Sequence, residues 1–177
     1  VNTQHQCAST RLRAFDYTSS GAHFVTICSA QKIALFGDVL EGETVLNELG
    51  NMVLETWNAI PDHFPNVTLD EFVVMPNHVH SIVQIHRPTV WAQHAAPIHG
   101  ASPRLNVERG SLGAIVRAFK SAVTKRINEA RGTPDVPVWQ RNDHDRIIRD
   151  DRELEARRAY ITNNPLEWRT DEYAVAA

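Results

Sequence analysis

Two β-branched runs, Val67–Met75 and the run that starts at His78, are separated only by Pro76 and Asn77. A parallel crossover needs a dozen or more residues, so a link this short forces the two runs into an antiparallel hairpin. Strand side chains alternate faces with period two. Within Val73–Val83 and just beyond, His78, His80, Ile82 and Gln84 therefore face one way and Val79, Ser81, Val83 and Ile85 the other. One face can enter a core while the other presents two imidazoles side by side, a geometry that suits a metal ion.

The rest of the chain supplies partners for this hairpin. His23–Cys28 reads as a first strand, and Gly37 and Gly42 mark a connection. Val45, Leu46, Leu49, Met52, Val53, Trp57 and Ile60 recur at helical spacing, with Glu43 near the start and Pro61 closing. Gly50 within that helix costs about 1 kcal/mol relative to Ala, which a packed face can absorb. The stretch of about 86–110 carries repeated loop signals (Arg87-Pro88, Ala96-Pro97, His99-Gly100, Ser102-Pro103). Ser111 then caps a helix with the stripe Leu112, Ile115, Val116, Phe119, Val123 and Ile127, which Gly132-Thr133-Pro134 stops. Asp145–Arg149 is a short fourth strand. Asp150 and Glu153 resemble a capping box opening a third helix that runs to about Asn163, where Pro165 disfavours helical geometry at Asn164.

Strand–helix–strand–strand–helix–strand is the α+β, ferredoxin-like β-α-β-β-α-β plan: an antiparallel sheet with helices on one face. The histidine strand is central in that plan. Val79, Val83 and Ile85 meet the helices, His78 and His80 lie on the open face, and an extra C-terminal helix follows. The 177 residues fit one domain, 1–177, with an ordered core at about 11–168 and a short C-terminal tail.

Hydrophobic content of 42% and charged content of 22% are those of a globular protein, and no apolar run approaches a membrane span. The N-terminus lacks a signal-peptide layout, and Cys7 and Cys28 give no disulfide framework, so a reducing cytoplasm is expected. Thirteen of the 18 Lys/Arg but only nine of the 21 Asp/Glu lie between Arg104 and Arg158. That basic excess is compatible with a nucleic-acid face, and equally with a solvated helical surface.

The third helix offers groups to complete a site. Tyr160 and Asn164 are four apart and Arg157 is three before Tyr160, so the three share a helical face. A phenol nucleophile, an amide oxygen as third metal ligand and a guanidinium form a set that can handle phosphate. Ionising a tyrosine at pH 7 costs roughly 4 kcal/mol, so a divalent ion that polarises the phosphate would help so weak a nucleophile. Taken singly these residues have plainer readings: surface histidines, a packing tyrosine, solvated arginines. Tyr17 is the runner-up nucleophile, and His94 and His99 lack a spacing partner. Arg117, Lys120 and Lys125 on the second helix, together with Arg149 and Arg157, are candidates for phosphate contacts. Trp139 can stack on a base or simply be buried.

Met75-Pro76-Asn77-His78-Val79-His80, Trp139-Gln140-Arg141, the Ile-Ile-Arg strand and Tyr160-Ile161-Thr162-Asn163-Asn164-Pro165 occur in that order. Together, over roughly Arg11 to Trp168, they resemble the HUH single-tyrosine transposases, and within them the REP-associated tyrosine transposases. The resemblance implies a ferredoxin-like fold and a transposase-type endonuclease. Such an enzyme cleaves and rejoins single-stranded DNA, with hairpin structure of the REP or insertion-end kind, through a 5′-phosphotyrosine intermediate. It implies metal ligation by His78, His80 and Asn164, with Tyr160 as nucleophile and Mg2+ or Mn2+ as cofactor; imidazoles suit manganese better than magnesium. It also implies a bacterial, cytoplasmic, nucleoid-associated protein working as a monomer or homodimer. Two other readings stand beside it. A replication-initiator or relaxase-type HUH nuclease would commonly carry a third histidine near the pair or a lysine in the tyrosine helix, and neither is present here. A non-catalytic ferredoxin-like nucleic-acid-binding module would be indifferent to metal and to Tyr160. A metal-dependent hydrolase with water as nucleophile is a further alternative.

Overall fold

The computed structural model describes residues 20–86, 110–171 and 173. Most of the expected 86–110 loop, and with it His94 and His99, lies outside the described residues, as does Tyr17. The elements run β1 (Gly21–Cys28), β2 (Gly37–Leu40), β3 (Glu43–Leu46), α1 (Glu48–Asn58), α2 (Ile60–His63), β4 (Val67–Val74), β5 (His78–Ile85), α3 (Leu112–Arg131), β6 (His144–Ile148) and α4 (Asp151–Asn163). The main sheet has the order β4-β5-β1-β6 with every pairing antiparallel. This is the ferredoxin-like arrangement, and β5 is central, flanked by β4 and β1. Among the described residues no helix is long and apolar enough to cross a membrane.

Side-chain parity sorts the sheet into two unlike faces. Val25, Ile27, Val79, Val83 and Ile85 join Val53 and Trp57 of α1 and Leu112, Ile115, Phe119, Val123 and Ile127 of α3 in the main core. The opposite face carries Phe24, Ile82 and Ile148, and Ile161 of α4 packs on them. The face expected to be open is therefore covered: His78 and His80 are both 0% exposed. Its cover is α4, the element appended to the ferredoxin plan.

Local chemistry explains most boundaries. Ser111 Oγ accepts from Ala114 N–H, and Gly132 closes α3 in the left-handed conformation at φ 62°. Asp150 accepts from Glu153 N–H at 2.8 Å, while the Glu153 carboxylate reaches back to Arg149 N–H at 3.1 Å.

Three further expectations need correction. Residues 43–46 are not the start of a helix but the second strand of a small β2–β3 hairpin, and α1 begins after Asn47, whose side chain accepts from Gly50 N–H at 2.9 Å. Gly50 is more than tolerated: a Cβ there would lie 2.1 Å from the Phe36 carbonyl oxygen, so glycine lets α1 seat against that segment. Asn164 is helical (φ −55°, ψ −40°) despite preceding a proline, and the chain continues through turns to a short 3-10 segment, Trp168–Thr170.

Candidate metal and nucleophile site

The site is built where β5 and β1 run side by side beneath α4. Thr26 is the direct cross-strand partner of His80, and Cys28 of His78. Cross-strand partners share a face at close range, and the Thr26 hydroxyl lies 2.8 Å from His80 Nδ1. Asn77, at the turn into β5, places its Oδ1 2.8 Å from His78 Nδ1. Each ring is thus anchored through Nδ1, and the two Nε2 atoms face each other at 3.0 Å. Metal-binding histidines are commonly held in this way, one nitrogen fixed by a partner and the other presented.

Helix α4 brings the rest. The Tyr160 hydroxyl lies 3.4 Å from His80 Nε2. Phe24 stacks on His80 with centroids 5.4 Å apart and meets the Tyr160 ring edge-on at 5.9 Å. Arg157 lies over the Phe24 ring, its guanidinium carbon 4.9 Å from the centroid. Asn164 is 2% exposed; its Nδ2 donates to Asp171 Oδ2 at 2.6 Å, while its buried Oδ1 has no hydrogen-bond partner. The expected quartet His78, His80, Tyr160 and Asn164 is therefore gathered in one place.

Asp171 completes the cluster and was not foreseen. Ligand atoms of His78, His80 and Asp171 lie within 4.8 Å of one another. Asp171 Oδ2 is 3.5 Å from the Tyr160 hydroxyl, and Oδ1 accepts from Tyr173 N–H at 2.6 Å. Tyr173 reaches the site as well: its ring centroid is 5.0 Å from that of His78 and 5.5 Å from that of His80. No periodic signal could have found either residue. They return to the site only because the turns after α4 fold back.

The electrostatics favour neutral imidazoles. Burial, reinforced by Lys32 and opposed by Asp171 and Asn164, holds His78 down at about 4. Burial first, then His78 and Arg157, hold His80 lower still, at about 2. Both rings keep lone pairs at pH 7, as ligation requires. A divalent cation fits this donor set: the Nε2 atoms of two neutral imidazoles converge beside a carboxylate and an orphaned amide oxygen. Mixed nitrogen and oxygen donors suit manganese better than magnesium.

An ion pair fixes α4 in place. Arg158 grips Asp70 with two bonds, Nε to Oδ1 at 2.8 Å and Nη2 to Oδ2 at 2.6 Å. Asp70 is aimed at α4 by a bulge in β4 between Leu69 and Phe72 and also accepts from Gln84 at 2.7 Å. The Arg158 bonds are the main reason the Asp70 carboxyl is held down at about 2.

The nucleic-acid candidates divide between the faces. Arg157 belongs to α4, and the exposed Arg149 lies in the chain between β6 and that helix. Arg117, Lys120 and Lys125 instead line a groove of about 1000 Å³ between α3 and the 134–143 segment. Lys120 donates to the Gln140 carbonyl at 2.8 Å and lies 3.7 Å from Asp143, pinning that segment to α3. Trp139 is 7% exposed and packs on Phe36 and Phe119, so here it is a core residue.

An uncharacterized protein of Haemophilus influenzae is 40% identical to this chain over 174 residues, spanning 97% of this chain and 94% of that protein. No family model matches. Among solved structures, a REP-associated tyrosine transposase bound to a REP hairpin superposes with a TM-score of 0.53 at 16% identity, covering 90% of this chain and 74% of that one.

Proposed function

We propose, for a chain that belongs to the same family as the Haemophilus influenzae protein and has the fold of a REP-associated tyrosine transposase, that it is a transposase-type endonuclease acting on single-stranded DNA. The observation that carries this reading is the convergence of the Tyr160 hydroxyl, the paired Nε2 atoms of His78 and His80, and the buried amide of Asn164 where α4 covers β5.

His78, His80 and Asn164 would hold a divalent cation, with Asp171 as a further oxygen donor. That cation would supply Lewis-acid polarisation of a phosphate and make it a better electrophile. Tyr160 oxygen attacks the phosphorus, the bond from phosphorus to the 3′ oxygen breaks, and a 5′-phosphotyrosine and a free 3′-hydroxyl result. Asp171 Oδ2, 3.5 Å from the phenol, is positioned to take its proton. A later attack by a 3′-hydroxyl reverses the step and rejoins DNA with no external energy source. Arg157 supplies positive charge beside the aromatic group for a phosphate oxygen. The fold neighbour was solved with a DNA hairpin, which supports hairpin-bearing single strands as the substrate to test first.

The test is incubation of the protein with single-stranded hairpin DNA from sequences flanking its own gene, with manganese. The expected product is a protein–DNA adduct that survives denaturation and is absent from Tyr160→Phe, which still binds the DNA. Binding without cleavage by the wild type under varied divalent metals contradicts the catalytic reading.

A further inference from the structure

The two imidazoles are anchored in different ways, and the difference sets their protonation. Asn77 is 2% exposed, and its Nδ2 donates to the carbonyls of Lys32 at 3.1 Å and Tyr173 at 2.8 Å. Carbonyl oxygens only accept, so the amide nitrogen must face them and Oδ1 must face His78 Nδ1, 2.8 Å away. Oδ1 only accepts as well. The proton of His78 therefore sits on Nδ1, and its Nε2 is bare. His80 Nδ1 meets the Thr26 hydroxyl, which can donate or accept, so His80 is free to take either tautomer. Two bare Nε2 atoms would repel at 3.0 Å, so without a cation His80 carries its proton on Nε2 and donates to His78.

We propose that Asn77 is the positioning residue that locks His78 as the Nδ1–H tautomer, and that Thr26 is the two-way partner that lets His80 change tautomer when a cation enters. The inference rests on the metal reading above and goes beyond it by assigning unequal roles to the two histidines. On cation entry the Nε2 proton of His80 leaves to solvent, Nδ1 takes a proton from solvent, and the Thr26 hydroxyl turns from donor to acceptor. The ring stays neutral and no net proton is released by it. Asn77 also joins the C-terminal turn to the ligand pair, because the Tyr173 carbonyl shares the same amide.

The experiment is long-range 1H–15N NMR of the whole protein labelled at histidine, first metal-free and then with zinc as a diamagnetic probe. Metal-free wild type should show His78 protonated at Nδ1 and His80 at Nε2, and zinc should move the His80 proton to Nδ1. Asn77→Ala should lose the His78 preference and weaken zinc binding about ten- to a hundredfold by calorimetry. Asn77→Asp keeps an acceptor facing Nδ1 and should restore both, although it gives up the bonds to the two carbonyls. Wild-type His78 protonated at Nε2, or an unchanged His78 tautomer in Asn77→Ala, overturns the proposal. Absence of zinc binding by the wild type overturns the metal reading and the His80 shift with it. That failure is distinguishable, because the His78 tautomer is read before any metal is added.

Discussion

The two faces of the sheet come from the same strands yet are finished differently. On one, Val25, Ile27, Val79 and Val83 disappear under α1 and α3 into a core of large apolar side chains. On the other, Thr26, His78 and His80 share a face with Phe24 and Ile82, and the cover is one helix, whose Ile161 rests on Phe24, Ile82 and Ile148, with the turns that follow it. The first face is held by apolar burial, which is non-directional and large in sum. The second is held by directed bonds: a bidentate ion pair, the Asn77 fork and the Asp171 bridge. Stability is thus concentrated on one face and the candidate site on the other, so α4 can be loosened without unfolding the core.

The largest expected effect is on the apolar face. Trp57 is 1% exposed, stacked on Phe72 at 4.5 Å and edge-on to Phe119 at 5.3 Å. Trp57→Ala should lower stability by about 3–5 kcal/mol in urea unfolding. Ile161→Ala, under α4, should cost about 2 kcal/mol, at the low end for such truncations. Hydrogen exchange should show the loss in α4 first, with β5 still protected. Equal losses of protection in α4 and β5 would break the distinction between the faces.

A smaller effect should appear with pH. Asp70 is held at about 2 in the folded protein, chiefly by Arg158, below its ordinary value of 3.8. A depressed carboxyl stabilises the fold fully above the unfolded value, and that contribution is lost as pH falls from about 4 towards 2. An acid titration of the unfolding midpoint should show this step in the wild type and lack it in Asp70→Asn. The smallest effect belongs to Lys125, whose pair with Glu129 is 3.8 Å long and largely exposed. Lys125→Ala should change stability by less than about 0.5 kcal/mol. If α3 carries DNA, the same change should reduce the salt dependence of binding by about one phosphate contact.

Much of this was readable because it follows from periodicity. The Pro76-Asn77 link forced the hairpin, alternation set the two faces, and the i, i+4 spacing of Tyr160 and Asn164 put both on the buried side of α4. The β2–β3 hairpin escaped because each strand has only four residues and its turn, Glu41-Gly42, lacks the usual Asn-Gly signature, although both residues have positive φ (53° and 82°). Asn77 was legible only as a turn residue, since its function depends on two carbonyls distant in sequence. The Arg158–Asp70 pair was not legible, because the two residues lie 88 apart and Asp70 sits at a bulge that no local pattern announces. Asp171 and Tyr173 return to the site through turns that carry no periodicity at all.

The central claim is that Tyr160, rather than the other tyrosine facing the histidines, forms the bond to DNA. Trypsin separates them, because cleavage after Arg158 and Arg169 leaves Tyr160 in the peptide Ala159–Arg169 and Tyr173 in Thr170–Ala177. The denaturation-resistant adduct formed with hairpin DNA and manganese should be digested with nuclease and trypsin and its peptides mapped by mass spectrometry. A deoxynucleotide phosphate on Tyr160 of Ala159–Arg169 is the predicted result; the same mass on Tyr173 in Thr170–Ala177 would contradict it.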